Sequence, residues 1–209
     1  MTTYSINLSL IPPYLRRLVF AWYTWRVIGL RRSGEFPGTS TRVPEPWETA
    51  ADVFWGRRVP IMGTPQELAV VDAVDLSLYI GSEGEDIYVD QEIRGTRRRK
   101  AVFRDMQDAE KYLLFLFSQT ERPGSYNQSP DYLWYQNGLA PSVQIRPVDP
   151  GLEYPQTFYY CVDGRDRGWM SESDAVSFSH AVLLSYEELE SELKKGIPPE
   201  WFDFTLVEA

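Results

Sequence analysis

The sequence predicts an α+β fold, in which a mainly antiparallel sheet is packed by a central helix and by C-terminal helices. Three observations lead to this class. Apolar and polar residues alternate along residues 76–80 and 87–94, as they do in half-buried strands. Asp105–Gln119 carries apolar residues at helical spacing, and Ser185–Glu188 forms a capping box at the start of a late helix. Because the strands precede the helices instead of alternating with them, an antiparallel sheet with helices on one face is favoured.

The stretch Asp105–Gln119, DMQDAEKYLLFLFSQ, is predicted to be the central core helix. Asp105 can cap its first turn, where free backbone N–H groups need an acceptor. One face of the helix is formed by Met106, Ala109, Leu113, Leu116 and Phe117. Since Tyr112, Leu114 and Phe115 extend the apolar surface around the sides, other elements must cover most of the helix.

The N-terminal part is predicted to be separate from this core. Tyr14–Gly29 has a helical apolar stripe preceded by prolines, and its arginines argue against a membrane-spanning helix. Burial against the domain and a position on a membrane surface both remain open. Arg31–Trp47 contains three prolines and two glycines, which indicates a loop or linker. The predicted organisation is an N-terminal helix with a Pro/Gly-rich linker in residues 1–47 and a single α+β domain in residues 48–209. A chain that begins near residue 48 is therefore expected to fold.

Turn residues divide the rest of the chain into shorter elements. The segment Glu121–Pro141 is rich in turn residues and aromatic side chains, and it is predicted to be a long loop. Ser171 or Ser173 is expected to cap a helix that continues to Leu183. The further predicted strands are Leu68–Val74, Arg98–Arg104, Val143–Val148 and Gln156–Val162.

The net charge of −9 is unevenly distributed. Residues 1–60 contain eight arginines and four acidic residues, a net charge of +4, so residues 61–209 carry −13. An acidic body repels nucleic-acid phosphates and attracts partners that have a basic face. The sequence therefore predicts neither a nucleic-acid partner nor a membrane partner, and solubility alone is the competing explanation of the charge.

One cysteine and one histidine limit the chemistry of the chain. A single cysteine, Cys161, excludes an internal disulfide framework and a cysteine-rich zinc site, and it suits a reducing cytoplasm. Cys161 lies in a β-prone run and is expected to be an inert core thiol, while His180 is expected to be a hydrogen-bonded histidine in a helix. The sequence has no glycine-rich phosphate loop, dinucleotide fingerprint or nucleophile elbow. No catalytic residue, metal or cofactor is predicted.

Two charged clusters leave other functions open. Glu83, Glu85 and Asp86 form a carboxylate cluster in a predicted turn, so a carboxylate-based hydrolase is an alternative function. Arg97–Lys100 is a dense basic run that could touch phosphates or RNA. Because the run lies on a strand of an acidic chain, internal ion pairing is expected for it.

Aromatic side chains in loops predict a protein-binding function, because Tyr, Trp and Arg anchor many interfaces. The predicted partner-binding residues lie in the long loop and in a later turn, and they are Tyr126, Tyr132, Trp134, Tyr135, Arg165, Asp166, Arg167 and Trp169. The competing interpretation is that the aromatic residues fix the loop to its own domain and that the turn is a solvated hairpin tip.

The C-terminal two-thirds of the chain resembles a known family. The pattern is a strand pair, FRDMQDAEKYLLFLF at 103–117, a long loop, two strands, DAVSFSHAVLLSYEEL at 174–189 and GIP at 196–198. Over residues 68–200 this is similar to the actinobacterial immunity-protein family that includes the inhibitor of the tuberculosis necrotising toxin. The resemblance implies a small α+β domain that neutralises a secreted NAD-cleaving toxin domain in the producing cell by covering its active site. It neither includes residues 1–60 nor supplies interface residues.

The predicted function is therefore that of an immunity protein, an antitoxin that binds and blocks a cognate toxin domain and is not an enzyme. The protein is expected to be cytoplasmic and to be a monomer until this partner binds. A non-enzymatic interaction or regulatory module is a further alternative, beside the hydrolase. A toxin-domain gene in the neighbouring reading frame would favour the immunity protein over the other two functions.

Overall fold

The structure is a computed structural model that describes residues 1–73 and 76–209. Its α-helices are α1 Pro13–Arg32, α2 Ala50–Trp55, α3 Met106–Glu121, α4 Pro130–Asn137, α5 Glu172–Val182 and α6 Tyr186–Lys194. Its strands are β1 Thr2–Ile6, β2 Ile61–Thr64, β3 Glu67–Ala73, β4 Leu76–Glu83, β5 Asp86–Ile93, β6 Thr96–Phe103, β7 Val143–Pro147, β8 Phe158–Val162, β9 Arg165–Met170 and β10 Phe204–Glu208. Short 3-10 helices span Tyr126–Gln128 and Pro199–Phe202. Val74, the end of the predicted strand Leu68–Val74, lies outside the described residues.

Eight strands form one antiparallel sheet in the order β2-β3-β4-β5-β6-β9-β8-β7, which confirms the predicted α+β class. Side chains alternate along β4 and β5 as the sequence predicts. Leu78, Ile80 and Val89 are buried on the face that packs against α3, whereas Tyr79 and Tyr88 lie on the opposite face. We refer to this opposite face as the outer face of the sheet.

The helix predicted to be central is α3, and it lies at the centre of the core. The Asp105 side chain accepts a hydrogen bond from the Gln107 N–H at 2.8 Å and so caps the first turn. Tyr112 of α3 meets Phe103 of the sheet and Phe178 of α5, with ring centroids 5.2 and 5.3 Å apart. These tilted and edge-to-face contacts join the sheet to both helices.

Replacement of Leu113 by alanine is expected to lower the free energy of unfolding by about 2–5 kcal/mol, because the side chain is fully buried and its loss leaves a cavity. Leu183→Ala is a suitable control, since Leu183 is 43% exposed at the end of α5. Urea unfolding of both variants measures the difference. Equal losses for the two leucines would mean that α3 is peripheral.

The N-terminal helix belongs to the core, so its interpretation as an appendage is wrong. α1 continues through Gly29 to Arg32 and packs along α3. Trp22 and Trp25 are buried in the same hydrophobic cluster as the side chains of α3. The irregular segment predicted after the helix is present at residues 33–49. Among the described residues, no helix combines the length and the apolar character that a membrane span requires.

The close approach of α1 to α3 depends on Gly29, because a Cβ atom there would overlap with the Glu121 carboxylate. Glu121 is buried and forms ion pairs with three arginines. Its Oε1 lies 3.4 Å from Arg26 Nη1 and 2.9 Å from Arg57 Nη1, and its Oε2 lies 3.9 Å from Arg32 Nη2. This ionic cluster joins α1, α3 and the segment that follows α2.

The two ends of the chain form a second, small sheet that the sequence did not predict. β1 and β10 pair in parallel, with Tyr4 opposite Leu206. Tyr4 is buried against Trp55, with ring centroids 5.6 Å apart. An ion pair of 3.1 Å between Arg16 and Glu208 connects this sheet to α1.

The segment Glu121–Pro141 is not a long irregular loop. It contains a 3-10 helix and α4, which begins at Pro130 after Ser129. Ser129 is a regular N-cap, since its hydroxyl accepts a hydrogen bond from the Tyr132 N–H at 3.2 Å. The C-terminal helices agree better with prediction, because Ser171 caps α5 and the capping box Ser185–Glu188 starts α6.

Candidate protein-binding surfaces

The aromatic residues of α4 divide into an inward and an outward set. Trp134 lies between Phe115 of α3 and His180 of α5, and both ring pairs are stacked, with centroids 5.7 and 6.1 Å apart. His180 also makes a hydrogen bond of 2.7 Å between Nε2 and the Gly138 carbonyl oxygen, so it is a hydrogen-bonded helical histidine as predicted. Trp134 and His180 thus attach α4 to the domain.

The outward set, together with neighbouring residues, consists of large apolar side chains that are individually exposed on α4 or beside it. No residue of α4 is buried. The exposed fractions of these apolar side chains are 65% for Tyr126, 49% for Leu133, 47% for Tyr135 and 37% for Leu139. We name these four residues the α4 surface. Large exposed apolar side chains on one short segment are candidates for contact with a partner.

Tyr126 and Tyr132 hold one edge of the α4 surface in place. Their rings meet edge to face with centroids 5.5 Å apart. The Tyr126 hydroxyl donates a hydrogen bond of 3.0 Å to Asp131 Oδ2. Partial burial and the Asp131 carboxylate together raise the pKa of Tyr126. The tyrosine is therefore a neutral hydrogen-bonding group at physiological pH.

The charged side chains of the predicted turn are engaged within the molecule. Arg167 forms two hydrogen bonds with the fully buried Asp108, of 2.9 and 2.8 Å, and these raise the pKa of Arg167. The Tyr160 hydroxyl donates to the same carboxylate at 3.1 Å, and burial and Asp108 raise the tyrosine pKa well above its usual value. Arg167 thus compensates a buried carboxylate of α3, and only part of its side chain is exposed.

Asp166 is also paired internally. It accepts hydrogen bonds from the Cys161 thiol at 2.8 Å and from Arg146 at 2.6 Å, and both lower the pKa of Asp166. Burial and Asp166 in turn raise the pKa of Cys161, which opposes thiolate formation. Cys161 was predicted to lie in the core. It is instead half-buried on the outer face of the sheet, in β8. Arg165 is exposed at the start of β9.

The two predicted surfaces lie on different elements, the first on the 3-10 helix and α4 and the second on β9. The Asp163 N–H donates to the Ser142 carbonyl at 3.2 Å, which places the β8–β9 turn beside the segment that follows α4. Trp169 is not part of this arrangement. It is half-buried on the outer face of the sheet, where it pairs with Val102 on one side and Tyr159 on the other.

Three residues of the basic run on β6, Arg97, Arg99 and Lys100, are paired internally, as predicted. Arg97 binds Glu67 and Asp90, and Arg99 binds Asp90 and Glu83. Each of these arginines also lies over a tyrosine ring on the outer face, with the guanidinium carbon 4.0 and 4.2 Å from the ring centroid. Lys100 points the other way and meets Asp174 at 2.8 Å.

A further exposed segment was missed by sequence reasoning. The loop between β7 and β8, residues 148–157, leaves Leu152 53% and Tyr154 75% exposed. Its prolines and its glycine indicate a turn, but nothing in the sequence shows that two large side chains project from it.

No protein-family model and no curated protein matches the sequence. The fold, however, is similar to that of a solved structure, Rv3902c from M. tuberculosis. The TM-score is 0.53 at 12% sequence identity, and the match covers 90% of this chain and 92% of Rv3902c. This is the M. tuberculosis protein to which the sequence resemblance points. The resemblance is therefore confirmed at the level of the fold.

The structural match is longer than the sequence resemblance, which begins at residue 68. Only about a tenth of the chain remains unmatched, so most of residues 1–67 must be included. The shared fold therefore includes N-terminal elements, consistent with the burial of α1 in the core.

Proposed function

We propose that this protein is an immunity protein, which binds a cognate secreted toxin domain and blocks its active site. An NAD-cleaving toxin is the partner that the family resemblance implies. The α4 surface is the observation that carries the proposal, because it offers exposed tyrosine and leucine side chains on a helix that its neighbours hold in place. A protein with such a surface can inhibit a toxin domain by binding it one to one, and this needs no catalytic group.

Co-expression with a cognate toxin domain, sought first in the neighbouring reading frame, tests this function directly. Growth should be rescued, the two proteins should co-purify, and NAD consumption by the purified toxin should stop at a molar ratio near one. Continued NAD cleavage in the presence of excess protein would contradict the proposal.

Substitutions in α4 should separate binding from folding. Tyr135→Ala is expected to weaken toxin binding by about 2 kcal/mol or more, because exposed tyrosines are frequent hot spots, and to leave the melting temperature unchanged. Trp134→Ala is expected to lower the melting temperature, since it removes the stacking on Phe115 and His180. Tyr14→Ala is a matched control, since Tyr14 is 55% exposed at the start of α1. Equal affinities for the Tyr135 and Tyr14 variants would remove the α4 surface from the interface.

A further inference from the structure

The loop between β7 and β8, residues 148–157, presents two large apolar side chains around a carboxylate. Leu152 and Tyr154 are 53% and 75% exposed, and Glu153 between them is also exposed. Exposure of both side chains costs hydrophobic free energy that burial elsewhere in the fold would have recovered. A partner that buries both side chains would recover that free energy.

Hydrogen bonds restrain the base and the first turn of the loop. Its base is closed by a hydrogen bond of 3.0 Å from the Val148 N–H to the Thr157 carbonyl. The Asp149 side chain accepts a hydrogen bond from the Gly151 N–H at 2.9 Å, and prolines occupy two of the ten loop positions. These restraints lower the conformational entropy that the loop would lose on binding.

The charge of the loop is negative and uncompensated. Asp149 and Glu153 are its charged residues, and neither forms an ion pair in the part of the chain that the structure describes. Arg146, the basic residue nearest in sequence, is bound to Asp166 and lies over the ring of Tyr159.

We propose that this loop inserts into a concave, basic site on the toxin domain, with Leu152 and Tyr154 against an apolar floor and the two carboxylates facing a cationic rim. The proposal rests on the proposed function and adds to it a contact separate from the α4 surface. A hairpin loop with exposed side chains on its tip complements a cavity better than a flat surface. A second copy of this chain is not the partner that we propose for the loop, because two chains that each carry a net charge of −9 repel each other.

Binding kinetics of full-length variants to the toxin domain that co-purifies with the wild-type protein test the loop. Tyr154→Ala is expected to weaken binding at least tenfold, chiefly through faster dissociation, as loss of a buried aromatic anchor does. Glu153→Lys is expected to slow association several-fold and to make the association rate less sensitive to salt. Val43→Ala and Glu45→Lys are matched controls in the exposed segment 33–49, and they should stay within about twofold of the wild-type affinity.

The outcomes separate this inference from the proposed function. Wild-type binding together with loop variants that match the controls would overturn the loop contact and leave the immunity function standing. Absence of binding by the wild-type protein would overturn both. Unchanged melting temperatures in Tyr154→Ala and Glu153→Lys ensure that any loss of affinity belongs to the interface.

Discussion

A chain that lacks residues 1–47 is expected not to form the native core. The packing of α1 thus reverses the expectation from sequence that a chain starting near residue 48 folds. Six aliphatic side chains of α1 are at most 2% exposed, and burial of each contributes about 1.5–3 kcal/mol. Their sum is comparable with the whole stability of a typical domain, which is about 5–15 kcal/mol. They are Leu15, Leu18, Val19, Val27, Ile28 and Leu30.

The truncation also uncovers the side of α3 that faces α1. Glu110 and Glu121 both reach arginines of α1, so Leu114 and Phe117, at the intervening helical positions, lie on the same side. Both are buried in the intact chain and would meet water in the shorter one. In addition, Glu121 would lose two of its three arginine partners.

Near-ultraviolet circular dichroism and size-exclusion chromatography of residues 48–209 measure the effect. We expect aggregation or loss of tertiary signal. A chain in which residues 40–46 are replaced by glycine and serine, with α1 retained, should fold normally, because this part of segment 33–49 forms no helix or strand. Addition of a peptide of residues 1–47 should restore folding of the truncated chain if packing alone is missing. A cooperative unfolding transition of residues 48–209 with near wild-type stability would refute this account of the core.

Local signals explain which elements the sequence predicted well. The start of α3 depends on Asp105 and the start of α6 on the capping box Ser185–Glu188, and both caps bond within three residues. Strands β4 and β5 are long enough for their alternation to be recognised. In each case the information lies within one turn or one strand.

Elements that depend on distant partners were not predictable in this way. β1 pairs with β10 across almost the whole chain, and neither strand is apolar enough to be recognised alone. The amphipathic pattern of α1 predicted a helix but not its partner. The cap Ser129 with Pro130 marked the start of α4, yet the turn residues around it were interpreted as a loop.

The candidate surfaces also depend on contacts between residues that are distant in the sequence, so local patterns predicted them poorly. Composition identified the aromatic segment around α4, but the eight residues of α4 are too few for periodicity to show that Trp134 points inward and Tyr135 outward. In the turn, Arg167 has a partner 59 residues away, Asp108, that no local pattern indicates. Exposure is a property of the assembled fold, so it could be assigned only from the structure.

Replacement of Glu121 by alanine is expected to lower the free energy of unfolding by about 3–5 kcal/mol, because it leaves buried charge without compensation. Glu121 is 4% exposed and Arg26 is 6% exposed. Burial and the neighbouring Arg57 already lower the pKa of Arg26 to about 10, although the Glu121 carboxylate raises it. Without the glutamate, two arginines would face each other in a poorly hydrated space.

A double-mutant cycle distinguishes this charge effect from simple loss of packing. Arg26→Met keeps much of the aliphatic volume and removes the buried cation, so Glu121→Ala should cost less in that background than in the wild type. The Arg26 Nε hydrogen bond of 2.9 Å to the Trp55 carbonyl is lost in both Arg26→Met chains, so its contribution cancels in the cycle. Urea unfolding of the four proteins gives the coupling energy. A coupling energy of zero would mean that the ion pair with Arg26 contributes nothing to the attachment of α1 to α3, and that Glu121 acts through its other contacts, with Arg57, Arg32 and Gly29.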